Sequence, residues 1–146
     1  MQVQFSFGKE NNLGTYEPVS FHDLLKQILY FLQPVAAKKN SFLVNEVAEN
    51  FWVNTDKSKL VDLVGKLLSK IISRSSNSCI RLTAKQFTNV ALLHFKGISN
   101  GESLSIPFQL DDVQTLADKM GVYLTLNDYK RNETTIVLSM INPQAA

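Results

Sequence analysis

The order of helical and alternating segments predicts an α+β fold, an α/β two-layer sandwich with about three helices on one face of a mixed, mostly antiparallel sheet. Apolar residues recur at helical spacing in two long segments. Several shorter segments alternate apolar and polar residues, as strands do, and most of them lie in the second half of the chain. A chain of 146 residues is long enough to bury a core, and we predict a single domain over residues 1–146.

The first helix is predicted from about Phe21 toward Lys38. Ser20 and Asp23 have the spacing of a capping box in its looser aspartate form. Pro34 is expected to kink this helix or to end its regular part. The apolar positions at helical spacing are Leu24, Leu25, Ile28, Leu29 and Leu32. Two strands are predicted to follow, over residues 41–47 and 51–53.

The second helix is predicted to begin at Thr55 or Asp56, either of which can cap it. Its apolar stripe comprises Leu60, Leu63, Val64, Leu67, Leu68, Ile71 and Ile72. Its other side carries four cations, Lys59, Lys66, Lys70 and Arg74, whose spacing of seven, four and four residues places them close together.

The second half of the chain is predicted to consist mostly of strands. Residues 80–84 and 89–96 alternate as the two strands of a β-hairpin. A polar loop from Gly97 to about Pro107 leads to a short helix near Asp111 to Met120, which Gly121 is expected to end. Runs over residues 122–126 and 136–140 close the chain as two further strands.

Composition restricts the possible functions. The net charge is only +2, from 15 basic and 13 acidic residues, so no broad nucleic-acid surface is indicated and any basic site must be local. The single cysteine, Cys79, excludes an internal disulfide framework and favours a reducing compartment. No apolar run approaches the roughly 20 residues of a membrane span, and the amino terminus does not have the pattern of a signal peptide. A cytoplasmic protein is the expectation.

Three segments carry a resemblance to a known family. The first segment is PVSFHDLLKQILYFLQPVAAKKN, at residues 18–40. The second is VNTDKSKLVDLVGKLLSK, at residues 53–70, and the third is LADKMGVYLTLNDYKRNETTIVLSMINP, at residues 116–143. In order and spacing they resemble the ATP-binding domain of bacterial sensor histidine kinases and of the related gyrase-type (GHKL) ATPases. The resemblance extends from about Tyr16 to Pro143, which we take as the core of the domain.

The chain departs from this family at its chemical motifs. The family's second helix carries a motif with two asparagines, and an asparagine oxygen of this motif helps to hold Mg²⁺. The two asparagine positions correspond to Lys66 and Lys70, and a charged ammonium has no lone pair to offer a metal. The adenine-binding aspartate corresponds to Gly97 of the segment GISNG, which also contains Ser99 and Gly101, or to Lys96 after a one-residue shift. Thr134 belongs to the counterpart of the family's G-T-T hairpin. No glycine lies between Gly101 and Gly121, where the family has a glycine-rich nucleotide lid.

These departures indicate a vestigial nucleotide site formed by Lys66, Lys70, Gly97, Ser99, Gly101 and Thr134. We therefore expect no catalytic residue, no metal and no cofactor, Mg-ATP included. The resemblance then implies a catalytically inactive domain that acts as an interaction or regulatory module in bacterial two-component phosphorelay signalling. Its expected partners are the dimerisation helices of a histidine kinase or a response regulator, with no nucleic acid and no membrane.

Two other functions remain open from the sequence. The first is a divergent but active ATP-binding kinase domain, in which Asn77, Asn100 and Glu102 replace the missing groups. The second is a metal-free binder of an anion or a phosphorylated ligand through Lys59, Lys66, Lys70 and Arg74. A solvated helix face explains the same four cations without any ligand.

The remaining chemically active side chains have simpler interpretations. His22 beside Asp23 is typical of the first turn of a helix more than of a phosphoacceptor. The adjacent carboxylates of Asp111 and Asp112 are expected to cap the following helix. Cys79 is interpreted as a packing residue, and His94 is expected in a strand, facing either the core or solvent. The aromatic core candidates are Phe5, Phe7, Phe42, Phe51, Trp52, Phe87 and Phe95.

Overall fold

The computed structural model describes residues 16–99, 110–130 and 133–143, with helices α1, α2 and α3 and seven strands. The helices are α1 (Phe21–Ala37), α2 (Lys57–Ser73) and α3 (Asp111–Met120). The strands are β1 (Glu17–Ser20), β2 (Phe42–Asn45), β3 (Trp52–Thr55), β4 (Ser78–Phe87), β5 (Val90–Ser99), β6 (Tyr123–Lys130) and β7 (Glu133–Ile141).

The strands of the described residues form two sheets. The larger sheet has five strands in the order β2, β4, β5, β7 and β6, and its only parallel pair among these strands is β2 with β4. The smaller sheet pairs β1 with β3 in antiparallel fashion. The sheet is therefore mixed and mostly antiparallel, which confirms the predicted α+β sandwich.

All three described helices pack on one face of the five-stranded sheet. Along β4, β5 and β7, every second residue is buried in the same hydrophobic core as the apolar faces of the helices. The core residues of the sheet include Ile80, Leu82, Ala91, Leu93, Phe95, Ile136, Leu138 and Met140.

The opposite face of the sheet carries a different set of side chains, and we term it the outer sheet face. Residues directly opposite one another on paired strands point to the same side of the sheet. The strand pairing and the alternation along each strand therefore identify the side chains of the outer sheet face. They include Arg81, Thr83, Lys85, Phe87, Val90, Leu92, His94, Lys96, Tyr123, Thr125, Val137, Ser139 and Ile141.

The predicted helix ends agree with the structure at several positions. Ser20 caps α1, since its Oγ accepts a hydrogen bond from the main-chain N–H of Asp23 at 3.2 Å. Asp56, one of the two predicted caps, does the same for α2. Gly121 follows α3 with a φ of +70°, a conformation that glycine adopts without strain. Pro34 lies inside α1, which continues to Ala37, so of the two effects predicted for Pro34 the end of the regular helix does not occur.

Three sequence predictions need correction. The loop predicted from Gly97 begins later, because β5 continues to Ser99 and pairs there with Ser78. Neither Asp111 nor Asp112 caps α3, whose N-cap position is Leu110 without a side-chain hydrogen bond. Three predicted core aromatics are exposed, namely Phe42, Trp52 and Phe87, whereas Phe95 is buried. Phe5 and Phe7 lie outside the described residues.

The β2 edge of the large sheet is covered by a side chain. The amide of Gln33 on α1 donates to the carbonyl oxygen of Leu43 at 2.9 Å and accepts from the N–H of Leu43 at 3.3 Å. Gln33 thereby satisfies the main-chain N–H and carbonyl of Leu43, as a neighbouring strand would do at this edge. None of the helices in the described segments is long and apolar enough to cross a lipid bilayer.

Candidate functional site

Helix α2 presents the four predicted cations on its less buried side. Its nine buried residues, from Leu60 to Ile72, pack into the core, which leaves Lys59 and Arg74 exposed and Lys66 and Lys70 half-buried. Lys70 lies in the last turn and Arg74 at the C-cap. Cations near the carboxyl end of a helix are stabilised by its dipole, so these two positions have a structural explanation that does not require a ligand.

Lys70 is engaged by a carboxylate from another helix. Its Nζ lies 3.1 Å from an oxygen of Asp112 on α3, and the two side chains are 30% and 58% exposed, respectively. Lys66 lies 3.9 Å from Asp62, one turn earlier on the same helix. Two of the four cations therefore already have carboxylate neighbours within the chain.

Asp112 is held in its charged form by this contact. Partial burial raises the pKa of Asp112. The hydrogen bond and charge of Lys70, together with the main-chain N–H of Val113, lower the pKa by more than burial raises it. The net pKa lies below the ordinary value of 3.8, so the carboxylate is ionised at neutral pH. A ligand anion would have to compete with Asp112 for Lys70.

The sheet brings Gly97 and Thr134 together. They are directly opposite one another on β5 and β7, and both are buried on the helix side of the sheet. Lys96 points to the outer sheet face instead, where its Nζ lies 3.3 Å from Glu133. Gly97, and not Lys96, thus lies on the side of the sheet where α2 carries Lys66 and Lys70. Ser99 ends β5, and Gly101 lies outside the described residues.

Asn77 holds two turns together. It has a φ of +53°, its main-chain N–H donates to the carbonyl of Lys39 at 3.1 Å, and its side-chain oxygen accepts from the amide of Asn40. These contacts join the turn after α1 to the turn after α2. Asn100 and Glu102, the other two candidates for an active nucleotide site, lie outside the described residues.

His22 connects the start of α1 to the segment between β2 and β3. Its Nδ1 lies 2.7 Å from the carbonyl oxygen of Val47, and its own carbonyl accepts from the Asn45 amide at 3.2 Å. Since a carbonyl only accepts, Nδ1 carries the proton in this contact. These contacts agree with the interpretation of His22 as a first-turn helix residue.

His94 lies at the centre of the outer sheet face, between Thr83 and Val137. Within the described residues, its Nδ1 is buried and has no hydrogen-bond partner. Burial lowers the pKa of His94, and the charges of Lys85 and Lys96 lower it further. The imidazole is therefore neutral at neutral pH.

Sequence reasoning missed the role of Asn142. This residue is buried, and its amide donates to the carbonyl of Trp52 at 3.0 Å and to the side chain of Gln86 at 2.9 Å, while its oxygen accepts from the N–H of Asn54 at 3.0 Å. It therefore joins the free side of β3 to the large sheet. An asparagine near a chain end gives no local signal of such contacts.

A groove of about 470 Å³ lies beside Asn142. Its lining residues are Pro18, Asn50, Phe51, Trp52, Val53, Asn54, Gln86, Asn142 and Pro143. None of the residues predicted for the nucleotide site lines this groove. The described residues also contain no group of three or more histidine, cysteine, aspartate or glutamate side chains that could hold a metal ion.

Solved protein structures match this arrangement. No protein-family model and no curated protein matches the sequence. The nucleotide-free catalytic domain of the histidine kinase ThkA matches with a TM-score of 0.71 and 12% identity, over 88% of this chain and 96% of that chain. The Acinetobacter baumannii histidine kinase AdeS matches with a TM-score of 0.76 and 10% identity, over 89% of this chain and 68% of that chain.

The chain has the fold of a histidine kinase catalytic domain. Full-length ShkA in complex with AMPPNP shares this fold with a TM-score of 0.73 and 15% identity, over 90% of this chain and 32% of that chain. ThkA in complex with the response regulator protein TrrA does so with a TM-score of 0.72 and 12% identity, over 87% of this chain and 42% of that chain. Identities this low establish the fold and leave the activity to be argued from the site.

The residues that the resemblance assigns to the nucleotide site differ in chemistry from the usual ligands of Mg-ATP. Lys66 and Lys70, which occupy the positions assigned to the metal-binding asparagines, carry ammonium groups that repel a divalent cation. Lys70 is also held by Asp112. Gly97, which occupies the position assigned to the adenine-binding aspartate, has no side chain that could accept a hydrogen bond.

Proposed function

We propose that this chain is a catalytically inactive histidine kinase-like ATPase domain. In this proposal it acts as an interaction or regulatory module in bacterial two-component phosphorelay signalling, in the cytoplasm and without Mg-ATP. The observation that carries the proposal is the ion pair between Lys70 and Asp112. It provides an internal partner for a cation at the position that the resemblance assigns to a metal ligand.

The chemistry of the site supports this proposal. A lysine at an Mg²⁺ position adds a positive charge where two phosphates and a metal would otherwise balance one another. Asp112 neutralises that charge from α3, and this contact stabilises the packing of α3 on α2. The pair thus contributes to the fold at the position that the resemblance assigns to the nucleotide site.

The expected partner is a protein of the same signalling system. ThkA, which shares the fold, has been observed in complex with the response regulator TrrA. By analogy we propose a response regulator, or the dimerisation helices of a histidine kinase, as the partner of this chain.

The proposal is tested by calorimetric titration of the pure protein with ADP and with a non-hydrolysable ATP analogue, each with and without Mg²⁺. We expect no binding at ligand concentrations up to about 1 mM. A dissociation constant of about 1 mM corresponds to a binding free energy of about −4 kcal/mol. A parallel incubation with radiolabelled ATP and a histidine kinase dimerisation domain should show no phosphorylation.

The titration separates the three functions. Binding that requires Mg²⁺ would overturn the proposal in favour of an active kinase domain. Metal-independent binding that disappears in the Lys66→Glu, Lys70→Glu variant would favour an anion-binding site. The matched control is Lys26→Glu, Lys38→Glu, which makes the same charge change at exposed positions on and just after α1.

A further inference from the structure

The outer sheet face has an apolar end. Val90 lies directly opposite Phe87 on one side and Ile141 on the other, so the three side chains form one row across β4, β5 and β7. In the next row, Leu92 lies opposite Ser139, which is paired in turn with Tyr123. Side chains in such pairs lie roughly 4.5–5.5 Å apart at their Cβ atoms. We call Phe87, Val90, Leu92, Tyr123 and Ile141 the apolar end.

The apolar end is open to solvent although its members lie in adjacent rows of the sheet. Phe87 is 58% exposed, and Ile141 and Tyr123 are each 70% exposed. Isolated exposed apolar residues are ordinary on protein surfaces, but a contiguous group with two aromatic rings is typical of a surface that another molecule covers. Aromatic side chains are also the residues that most often anchor protein interfaces.

Three cations lie on the same face beside the apolar end. Arg81 is directly opposite Lys96, and Lys85 follows Arg81 on the same side of β4. Like charges directly opposite one another destabilise a sheet, so this arrangement is unfavourable in the isolated chain. Two of these cations act on His94, whose pKa is lowered first by burial and then by the charges of Lys85 and Lys96.

The carboxylates of the described residues balance these cations only in part. Glu133 forms an ion pair with Lys96 at 3.3 Å. The pKa of Arg81 is raised by a hydrogen bond with Cys79 and then by the charge of Glu46. Among the described residues, neither Arg81 nor Lys85 forms an ion pair with a carboxylate. An external anionic group would therefore relieve the repulsion between Arg81 and Lys96.

We propose that the outer sheet face binds an acidic surface of a partner protein. The partner covers Phe87, Tyr123 and Ile141 with apolar side chains and places carboxylates against Arg81, Lys85 and Lys96. The net charge of +2 favours a protein over nucleic acid, whose phosphates require a larger basic surface. This inference goes beyond the proposed function and does not depend on whether the chain binds nucleotide.

The test is a titration of the isotope-labelled full chain, followed by amide NMR shifts. The probe is a peptide of about twelve residues that alternates glutamate with leucine or phenylalanine, and a second peptide replaces each glutamate by lysine. We expect the acidic peptide, and not the lysine peptide, to change the amide chemical shifts of β4, β5 and β7. Its affinity should fall as sodium chloride rises from about 50 mM to about 500 mM.

Two variants and a control locate the binding surface. Arg81→Glu, Lys85→Glu should weaken the acidic peptide about tenfold or more, and Phe87→Ser should weaken it without removing the salt dependence. Lys26→Glu, Lys38→Glu should leave the affinity unchanged, because these residues lie on and just after α1, on the helix side of the sheet. All of these positions are exposed, so each variant is expected to fold, which circular dichroism checks.

Several outcomes would overturn the inference. Equal binding of the two peptides, or binding that persists in Arg81→Glu, Lys85→Glu, would show that charge complementarity is not used. Shifts of the same amides with increasing protein concentration alone would identify a second copy of this chain as the occupant. Binding of a DNA duplex or of anionic vesicles in place of the peptide would assign the surface to another class of partner. A nucleotide titration on the same sample reports separately on the proposed function.

Discussion

Lys70 on α2 and Asp112 on α3 form an ion pair with a separation of 3.1 Å, and this contact joins two helices that are far apart in sequence. Lys70 is the better buried of the two side chains, at 30% exposure. The position that the resemblance assigns to a metal-binding asparagine is thus occupied by a cation with a partner inside the protein. Five testable predictions rest on this pair and on the other contacts described above.

The ion pair should contribute a measurable coupling free energy. In a double-mutant cycle with Lys70→Ala and Asp112→Ala, we expect about 0.2–1 kcal/mol from urea unfolding at neutral pH, since solvent screens a partly exposed pair. The matched control is the cycle with Lys66→Ala and Asp62→Ala, whose atoms are 3.9 Å apart. A control coupling equal to or larger than that of Lys70 and Asp112 would contradict the prediction.

The same coupling should depend on pH in a defined direction. The pKa of Asp112 is lower in the folded chain than its ordinary value of 3.8, so the unfolded chain takes up the proton first as the solution becomes acidic. The stabilisation is present above pH 3.8 and is lost as the pH falls through the folded value. Repeating the cycle at about pH 2 should give no coupling, and a coupling that survives there would contradict the assignment.

Asn142 should be needed for the attachment of the small sheet. Asn142→Ala leaves the Trp52 carbonyl and the Asn54 N–H without their partner, and we expect the free energy of unfolding to fall by about 1–3 kcal/mol. Asn54→Ala is the control, because its exposed side chain is removed while its main-chain N–H stays. That control should change stability by no more than about 0.5 kcal/mol. Equal losses in the two variants would refute the role of the Asn142 amide.

His94 should make the folded state less stable in weak acid. Its pKa is below the ordinary value of 6.5 in the folded chain, so the unfolded chain binds the proton first as the pH falls below 6.5. His94→Gln should reduce the loss of stability between about pH 7.5 and about pH 5, measured by urea unfolding at several pH values. Thr83→Ser, directly opposite on β4, should keep the full loss. If the free energy of unfolding of His94→Gln changed with pH as much as that of the unsubstituted chain, His94 would not be the source of the loss.

Gln33 should protect the edge of β2. Gln33→Ala removes both hydrogen bonds to Leu43, so we expect a loss of about 0.5–1.5 kcal/mol in the free energy of unfolding and more self-association through the uncovered edge. Gln27→Ala makes the same change at an exposed position of the same helix. The two variants are compared by urea unfolding and by light scattering. Identical behaviour of the two would argue against the edge contact.

Much of the fold could be predicted from the sequence because its signals are local. The apolar spacing of residues 24–32 and 60–72 identified α1 and α2, and Ser20, Asp56 and Gly121 marked helix ends through contacts within a few residues. The alternation along β4 and β5 identified a hairpin for the same reason. Local signals also misled, since Asp111 and Asp112 have the composition of a cap but Asp112 binds Lys70 instead.

The sequence by itself determined the three helices, the strands after α1 and the residue types at the positions of the resemblance. Only the tertiary structure decided which of those residues meet. The ion pair of Lys70 with Asp112, the contacts of Asn142 with β3 and the row of Phe87, Val90 and Ile141 join segments that are distant along the chain. Their formation depends on helix packing and on strand register, in which a shift of one residue turns every side chain to the other face. Periodicity along one segment carries no information about that register.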